Sequence, residues 1–276
     1  MSTKIWFITG TSRGFGREWA LAALERGDRV AATARDVASL DGLVAAHGDA
    51  VLPISLDVTD REKVVAAVAR AHEHFGRLDV IVNNAGYGQF GMVEELSEAQ
   101  AREQIDTNLF GALWVTQAAL PLLRAQGGGH ILQVSSIGGI SAFPTVGIYH
   151  ASKWALEGLS QALAQEVAGF GIKVTLIEPG GYSTDWGGSS AKHATPIAAY
   201  DEVRQQAANR PSRRGTPGDP VATRDAVLTL VDSDDPPLRV FFGQTPLAIA
   251  TADYDSRLAT WNQWQPLAVA AHGGHG

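Results

Sequence analysis

The chain has 276 residues, 45% of them apolar and 18% charged, so a large buried core is expected and wholesale disorder is excluded. Its net charge of −7 argues against general binding to nucleic acid or an anionic membrane, both of which need clustered positive charge, and favours a small-molecule partner. The absence of cysteine excludes disulfide frameworks, thiolate metal sites and a cysteine nucleophile, and fits a cytoplasmic protein.

The N-terminal stretch "MSTKIWFITG" has one lysine and a short apolar run that gives way to glycines before a signal-peptide core or membrane span is complete. From there, short β-rich runs alternate with longer helical patterns. "KIWFITG" is followed by a helix from about Gly14 to Arg26, then "RVAATAR", "AVLPISLDV" and a helix through Val64 to Phe75. Next come "LDVIVNNAG", a long helix from about Glu98 to Arg124, "GHILQVSS", a helix from about Tyr149 to Ala168, "KVTLIEPGG", a helix near Asp219 to Val231, and "LRVFFG". These seven runs are mostly apolar throughout rather than alternating, the pattern of strands buried on both faces. They predict an α/β fold, a doubly wound parallel sheet of about seven strands with helices on both faces.

One domain over residues 1–276 is favoured over two, because a single α/β domain reaches this length. A Gly-, Ser- and Pro-rich insertion, about 185–220, is expected to form a lid over the substrate, with Trp186 and Tyr200 as candidate pocket residues. A C-terminal extension, about 246–276, is expected to form an amphipathic helix covering the core or an interface, with Trp261 and Trp264 as packing residues. The scattered histidines, His72, His74, His272 and His275, lack a carboxylate or cysteine partner set, so no metal is assigned.

After the first strand, "TGTSRGFG" sets Gly10, Gly14 and Gly16 at the opening of a helix. The chain must turn tightly there and bring backbone N–H groups against an anion, which suits a pyrophosphate. At the end of the second strand, "AATARD" places Ala34 where an acid would hold the ribose of NAD. Arg35 follows and Arg13 lies in the glycine turn, so two guanidiniums are available for the 2′-phosphate of NADP(H). NADP(H) is favoured; NAD(H) is the alternative, with Asp36 as the ribose contact.

With "TGTSRGFG", "NNAG" at 83–86, "SS" at 135–136 and "YHASK" at 149–153 in this order, the chain resembles the short-chain dehydrogenase/reductase family over about residues 4 to 245. The resemblance implies a Rossmann-type fold and hydride transfer between a nicotinamide and a ketone or secondary alcohol. It implies cofactor contacts from Gly10, Ser12, Arg13, Gly14, Phe15 and Gly16 in the first turn, and from Arg35 after the second strand. Asp57 and Val58 are expected at the adenine, Asp57 serving equally as a helix cap. Asn84, Ala85 and Gly86 are expected beside the cofactor, and Pro179, Gly180 and Thr184 in "PGGYST", where Thr184 is otherwise a helix N-cap.

The resemblance makes Tyr149 the acid/base. A free phenol ionises only near pH 10, and a neighbouring cation favours the phenolate. Lys153 stands one helical turn away, so it is expected to lower the phenol pKa and to hold the nicotinamide ribose. Ser136, thirteen residues before Tyr149, is expected to orient the carbonyl, with Ser135 bonding locally. Asn108 is expected to hold a relay water for Lys153, or else to serve as a structural hydrogen-bonding residue. His150 is expected at the rim or an interface. Apolar residues on more than one side of the two long helices predict a homodimer or homotetramer. The rival from another class is a catalytically silent dinucleotide sensor, which needs the binding turn but not the proton-transfer groups.

Overall fold

The computed structural model describes residues 3–209 and 216–273. Seven strands form one sheet: β1 (Ile5–Ile8), β2 (Arg29–Ala34), β3 (Val51–Ser55), β4 (Val80–Asn83), β6 (Gly129–Val134), β7 (Ile172–Pro179) and β9 (Arg239–Phe242). All pairs are parallel in the order β3-β2-β1-β4-β6-β7-β9, so the chain reverses direction of travel at the β1/β4 boundary. Such a switch point leaves a crevice beyond the strand carboxyl ends. The seven apolar runs of the sequence are these seven strands. A separate two-stranded sheet of β5 (Gln89–Phe90) and β8 (Lys192–His193) was not predicted; it joins the insertion to the segment after β4.

Alternation along the strands fills two cores. Phe7, Ile81, Ile131 and Val174 face α3 (Arg61–Phe75), α5 (Gly111–Gln126) and the end of α6 (Gly147–Val167). Trp6, Ile8, Val82 and Leu132 face α1 (Gly14–Glu25), α2 (Asp41–His47) and α8 (Thr223–Asp232). Trp19 is fully buried on α1, its Nε1 donating to Thr223 Oγ1 at 2.8 Å, which locks α8 onto α1. The lone long helix predicted over 98–124 is three pieces: α4 (Glu98–Ile105), a π-helical turn at Asp106–Phe110, and α5.

The insertion contains α7 (Asp201–Ala208), held down where the Arg204 guanidinium donates to both carboxylate oxygens of Glu95 at 2.8 and 3.0 Å. Residues 210–215 of the predicted lid lie outside the described residues. The C-terminal extension is α9 (Pro246–Ala271), with Trp261 and Trp264 each 58% exposed, so of the core and the interface it is not this chain's core that they pack on. Among the described residues no helix is long and apolar enough to cross a membrane.

A buried histidine ties two central strands. His130 Nε2 lies 2.9 Å from Thr175 Oγ1, and the threonine hydroxyl donates its own hydrogen to Pro237 O at 2.8 Å, so the imidazole is the donor. Burial pushes its pKa down to about 3, below the usual 6.5 of an unfolded chain. A histidine held neutral contributes stability that is full above pH 6.5 and drains away as pH falls toward about 3. The midpoint of urea unfolding is therefore expected to drop between neutrality and pH 4, with His130 adding up to about 1.4 kcal/mol per pH unit. A His130→Gln variant measured over the same range should lose that share of the slope; an unchanged slope contradicts the assignment.

Candidate functional site

The crevice at the switch point is built from the glycine turn outward. Thr9, just past β1, accepts from the backbone N–H groups of Asn84 and Ala85 at 2.9 and 3.0 Å and donates to Val82 O at 3.2 Å. The Asn84 amide donates in return to Thr9 O and Gly10 O at 2.9 and 3.0 Å. The turn after β1 is thus bolted to the end of β4, and sequence reasoning missed Thr9 as the bolt. Gly10 and Gly14 have φ of +70° and +58°, open to glycine at little cost. Gly16 is required sterically: a Cβ there would lie 2.4 Å from Gly10 O and 2.5 Å from the Asn84 amide nitrogen.

No side chain caps the start of α1, where Arg13 is extended, so the first N–H groups of the helix remain available to an anion. The donors and the backbone closeness suit a pyrophosphate. Ser12 and Gly14 border this cradle. The Phe15 ring turns inward, 5.4 Å from Trp19 and 4.9 Å from Tyr182 between centroids, so its side chain is a packing group. Thr184 sits opposite: its Cβ would be 3.8 Å from a Cβ placed on Gly14, and its hydroxyl caps a short turn at Asp185–Gly187. The N-cap alternative is therefore realised, beside the glycine turn.

Beyond β2, Asp36 accepts from Ala38 N at 3.1 Å and caps the turn Val37–Leu40, while the Arg35 side chain is exposed. Arg13, expected beside it, donates instead to Asp185 Oδ2 at 3.0 Å and Ser189 Oγ at 2.8 Å. Asp57 bonds locally, accepting from the N–H and hydroxyl of Thr59 at 3.0 and 2.8 Å; the cap of α3 is Asp60. The cap role expected of Asp57 therefore belongs to Asp60. Val58 is buried against Gly111, where an added Cβ would come within 2.6 Å of it. Pro179 ends β7, and Gly180 N donates to Phe242 O at 2.9 Å, with Pro246 too close to admit a Cβ easily. Gly86 abuts Asn108, whose Oδ1 would be 3.1 Å from an added Cβ.

The helix α6 brings Tyr149 and Lys153 to the same crevice, 7% and 6% exposed. The Lys153 ammonium donates to Val134 O at 2.7 Å and stands 5.8 Å from the Tyr149 ring centroid. Burial pushes the phenol up to about 12, with the Ser136 hydroxyl pulling the other way, and pushes Lys153 down to about 8, with Glu157 opposing. The expected lowering of the phenol pKa by Lys153 is not seen here: desolvation sets the direction at both groups. Ser136 is half-buried and accepts from Gly138 N at 3.0 Å, whereas Ser135 is buried and its hydroxyl finds no partner among the described residues, not the local bond expected of it.

The π-turn carries Asn108 inward. Its amide accepts from Tyr87 N at 3.1 Å and donates to Tyr87 O at 3.0 Å and Ser152 Oγ at 3.2 Å. Ser152 in turn donates to Tyr149 O at 2.6 Å, so Asn108 links the segment after β4 to the helix bearing Tyr149. Both amide hydrogens are engaged in this brace, a structural role of the kind weighed beside that of holding a relay water. His150 corrects another expectation: it is buried, not at a rim. Its Nε2 accepts from Phe143 N at 2.9 Å, which makes Nδ1 the donor to Gly138 O at 2.8 Å, pinning the loop after Ser136. Glu157, a further turn along α6 and unremarked in the sequence, accepts from Arg239 Nε at 2.9 Å and lies against Gly139. Burial and Glu157 together push the Glu178 carboxyl up.

Over this centre lies Trp186, 4.9 Å from Tyr149 and 5.2 Å from Phe90 between ring centroids. Tyr200 instead donates to Glu94 and fastens the insertion rather than lining the crevice. Among the described residues no group of three or more metal-ligating side chains comes together.

A family model described as short chain dehydrogenase matches residues 4–195. An oxidoreductase designated BOA17 from Botryotinia fuckeliana is 43% identical, covering 98% of this chain and 99% of its own. A short-chain dehydrogenase from Streptomyces avermitilis superposes with a TM-score of 0.90 at 39% identity, covering 98% of each chain. An alcohol dehydrogenase from Thermococcus sibiricus complexed with 5-hydroxy-NADP has a TM-score of 0.74 at 30% identity, covering 87% of this chain and 96% of its own. A short chain dehydrogenase/reductase from Burkholderia phymatum in complex with NAD has a TM-score of 0.80 at 25% identity, covering 94% and 95%. With the glycine turn, the Tyr149/Lys153 helix and the parallel sheet in this arrangement, the chain belongs to the short-chain dehydrogenase/reductase family of oxidoreductases.

Proposed function

We propose that the protein is an NADP(H)-dependent oxidoreductase acting on a ketone or secondary alcohol, a carbonyl reductase or alcohol dehydrogenase with a small-molecule substrate. The observation that carries this reading is the buried pair Tyr149 and Lys153 with the half-buried Ser136 beside the phenol at the switch-point crevice. The cofactor, when bound, supplies or accepts the hydride. Gly10, Gly14 and Gly16 with the first N–H groups of α1 would hold its pyrophosphate, Lys153 its nicotinamide ribose, and Thr184 the region beside the glycine turn. Tyr149, kept as a neutral phenol at physiological pH by burial, holds the proton that a reduced carbonyl oxygen needs. Ser136 donates a hydrogen bond to the same oxygen and favours the charge that develops there. Asn108 and His150 hold these groups in place through Ser152 and the loop after Ser136.

The NADP preference is supported by Ala34 at the strand end, by an Asp36 carboxylate whose Oδ1 caps the turn at Ala38, by the exposed Arg35 beside them, and by Arg13 in the glycine turn. Replacing Arg35 by Ala is expected to weaken NADPH binding by roughly 10- to 100-fold, the worth of a hydrogen bond to a charged group, with little change for NADH. Calorimetric titration of both cofactors checks this; a wild-type protein that binds NADH more tightly overturns the NADP assignment.

The same reading includes a cytoplasmic homodimer or homotetramer without nucleic-acid or membrane partners. Exposed apolar side chains along α9, among them Leu247, Leu258, Trp261 and Leu267, support self-association.

A further inference from the structure

We propose that Asp185 tunes cofactor selectivity: it is the resident counter-anion of Arg13, and the 2′-phosphate of NADP(H) must displace it. The inference rests on the NADP reading above and adds a residue to it.

Arg13 stands at the junction of the glycine turn and α1 with an extended backbone, φ −163° and ψ 177°. One nitrogen of its guanidinium contacts both Asp185 Oδ2, at 3.0 Å, and Ser189 Oγ, at 2.8 Å. The partner is not a casually placed surface acid. Asp185 opens a turn capped by Thr184, and its backbone carbonyl accepts from Gly188 N at 3.0 Å and Ser190 N at 3.2 Å. Those bonds hold the carboxylate and the Ser189 hydroxyl on the same side of the turn, facing Arg13. The next residue, Trp186, is itself anchored on Tyr149 and Phe90. The carboxylate is therefore presented to the glycine turn by a segment fixed at several points.

Two anions cannot share one guanidinium without penalty. A phosphate dianion takes a bidentate grip on arginine and outcompetes a carboxylate, but it must first release Asp185 and then bear its negative charge nearby. NADH carries a hydroxyl at that position and pays neither cost. Asp185 thus narrows a preference for NADPH that Arg13 and Arg35 create. The pair is half-exposed, 47% for Arg13 and 50% for Asp185, which limits the effect to that of a solvated ion pair.

The test is calorimetric titration of NADPH and NADH into wild type, Asp185→Asn, Arg13→Ala and the double variant. Asparagine keeps the size of the side chain and removes its charge. Asp185→Asn is expected to bind NADPH about two- to five-fold more tightly with NADH unchanged, and the gain should shrink toward none in the Arg13→Ala background. An equal change for both cofactors, an NADPH affinity that does not rise, or a gain that persists in full without Arg13 overturns the assignment. A wild type that prefers NADH refutes the NADP reading itself, whereas a wild type that prefers NADPH but is insensitive at Asp185 refutes only this inference.

Discussion

Replacing Tyr149 by Phe is expected to lower kcat for ketone reduction by about 10²- to 10⁴-fold while leaving NADPH affinity within a few-fold of wild type. The reasoning starts from burial. The phenol is 7% exposed and pushed up to about 12, so at neutral pH it carries its proton into the reaction, and the substitution removes the hydroxyl that holds that proton. The ring survives, and with it the packing against Trp186 and the i to i+4 relation to Lys153. Because the fold is kept, the thermal midpoint should stay near that of wild type. A variant with unaltered kcat would remove Tyr149 from the chemistry and leave Ser136 or a water as the donor.

The second large effect is expected at Gly16. A methyl group there would sit 2.4 Å from Gly10 O and 2.5 Å from the Asn84 amide, one a backbone atom and the other a side chain held by two hydrogen bonds. Neither can retreat without breaking the bolt between the first turn and β4. Gly16→Ala is expected to cost about 1–3 kcal/mol of stability from overpacking, and to weaken cofactor binding at least tenfold because the cradle itself must open. Urea unfolding and NADPH titration on the same sample separate the two effects. Gly14→Ala makes the contrast: its nearest neighbour is Thr184 at 3.8 Å, so steric crowding is absent and only the positive φ of +58° opposes alanine. Equal losses at both positions would mean that backbone strain, not crowding, governs the turn.

Much of this arrangement was legible in the sequence because it depends on local pattern. Seven apolar runs became seven parallel strands, and the glycine spacing, "NNAG" and "YHASK" fell at the carboxyl edge of the sheet. What was not legible depends on burial or on distant partners. The apolar period runs straight through Asp106–Phe110, so nothing in it signals the π-turn that carries Asn108 inward. The spacing of Tyr149 and Lys153 gives their adjacency but not their desolvation, and desolvation decides the direction in which both titrate. Arg13 was correctly placed in the glycine turn, yet its partner lies 172 residues away in the chain. His150 and Glu157 were visible as helix positions, but their targets, Gly138 and Arg239, come from a loop and a strand that only the fold brings near. The two short strands β5 and β8 have two residues each, too few for any periodicity to mark them.

The most direct test of the central claim follows nicotinamide absorbance when wild-type protein is mixed with NADPH or NADH and a panel of aliphatic and aryl ketones. The account expects NADPH to be consumed in step with alcohol formation for at least one ketone, faster than NADH. Tight NADPH binding with no ketone consumed across the panel, or turnover with NADH alone, would contradict it.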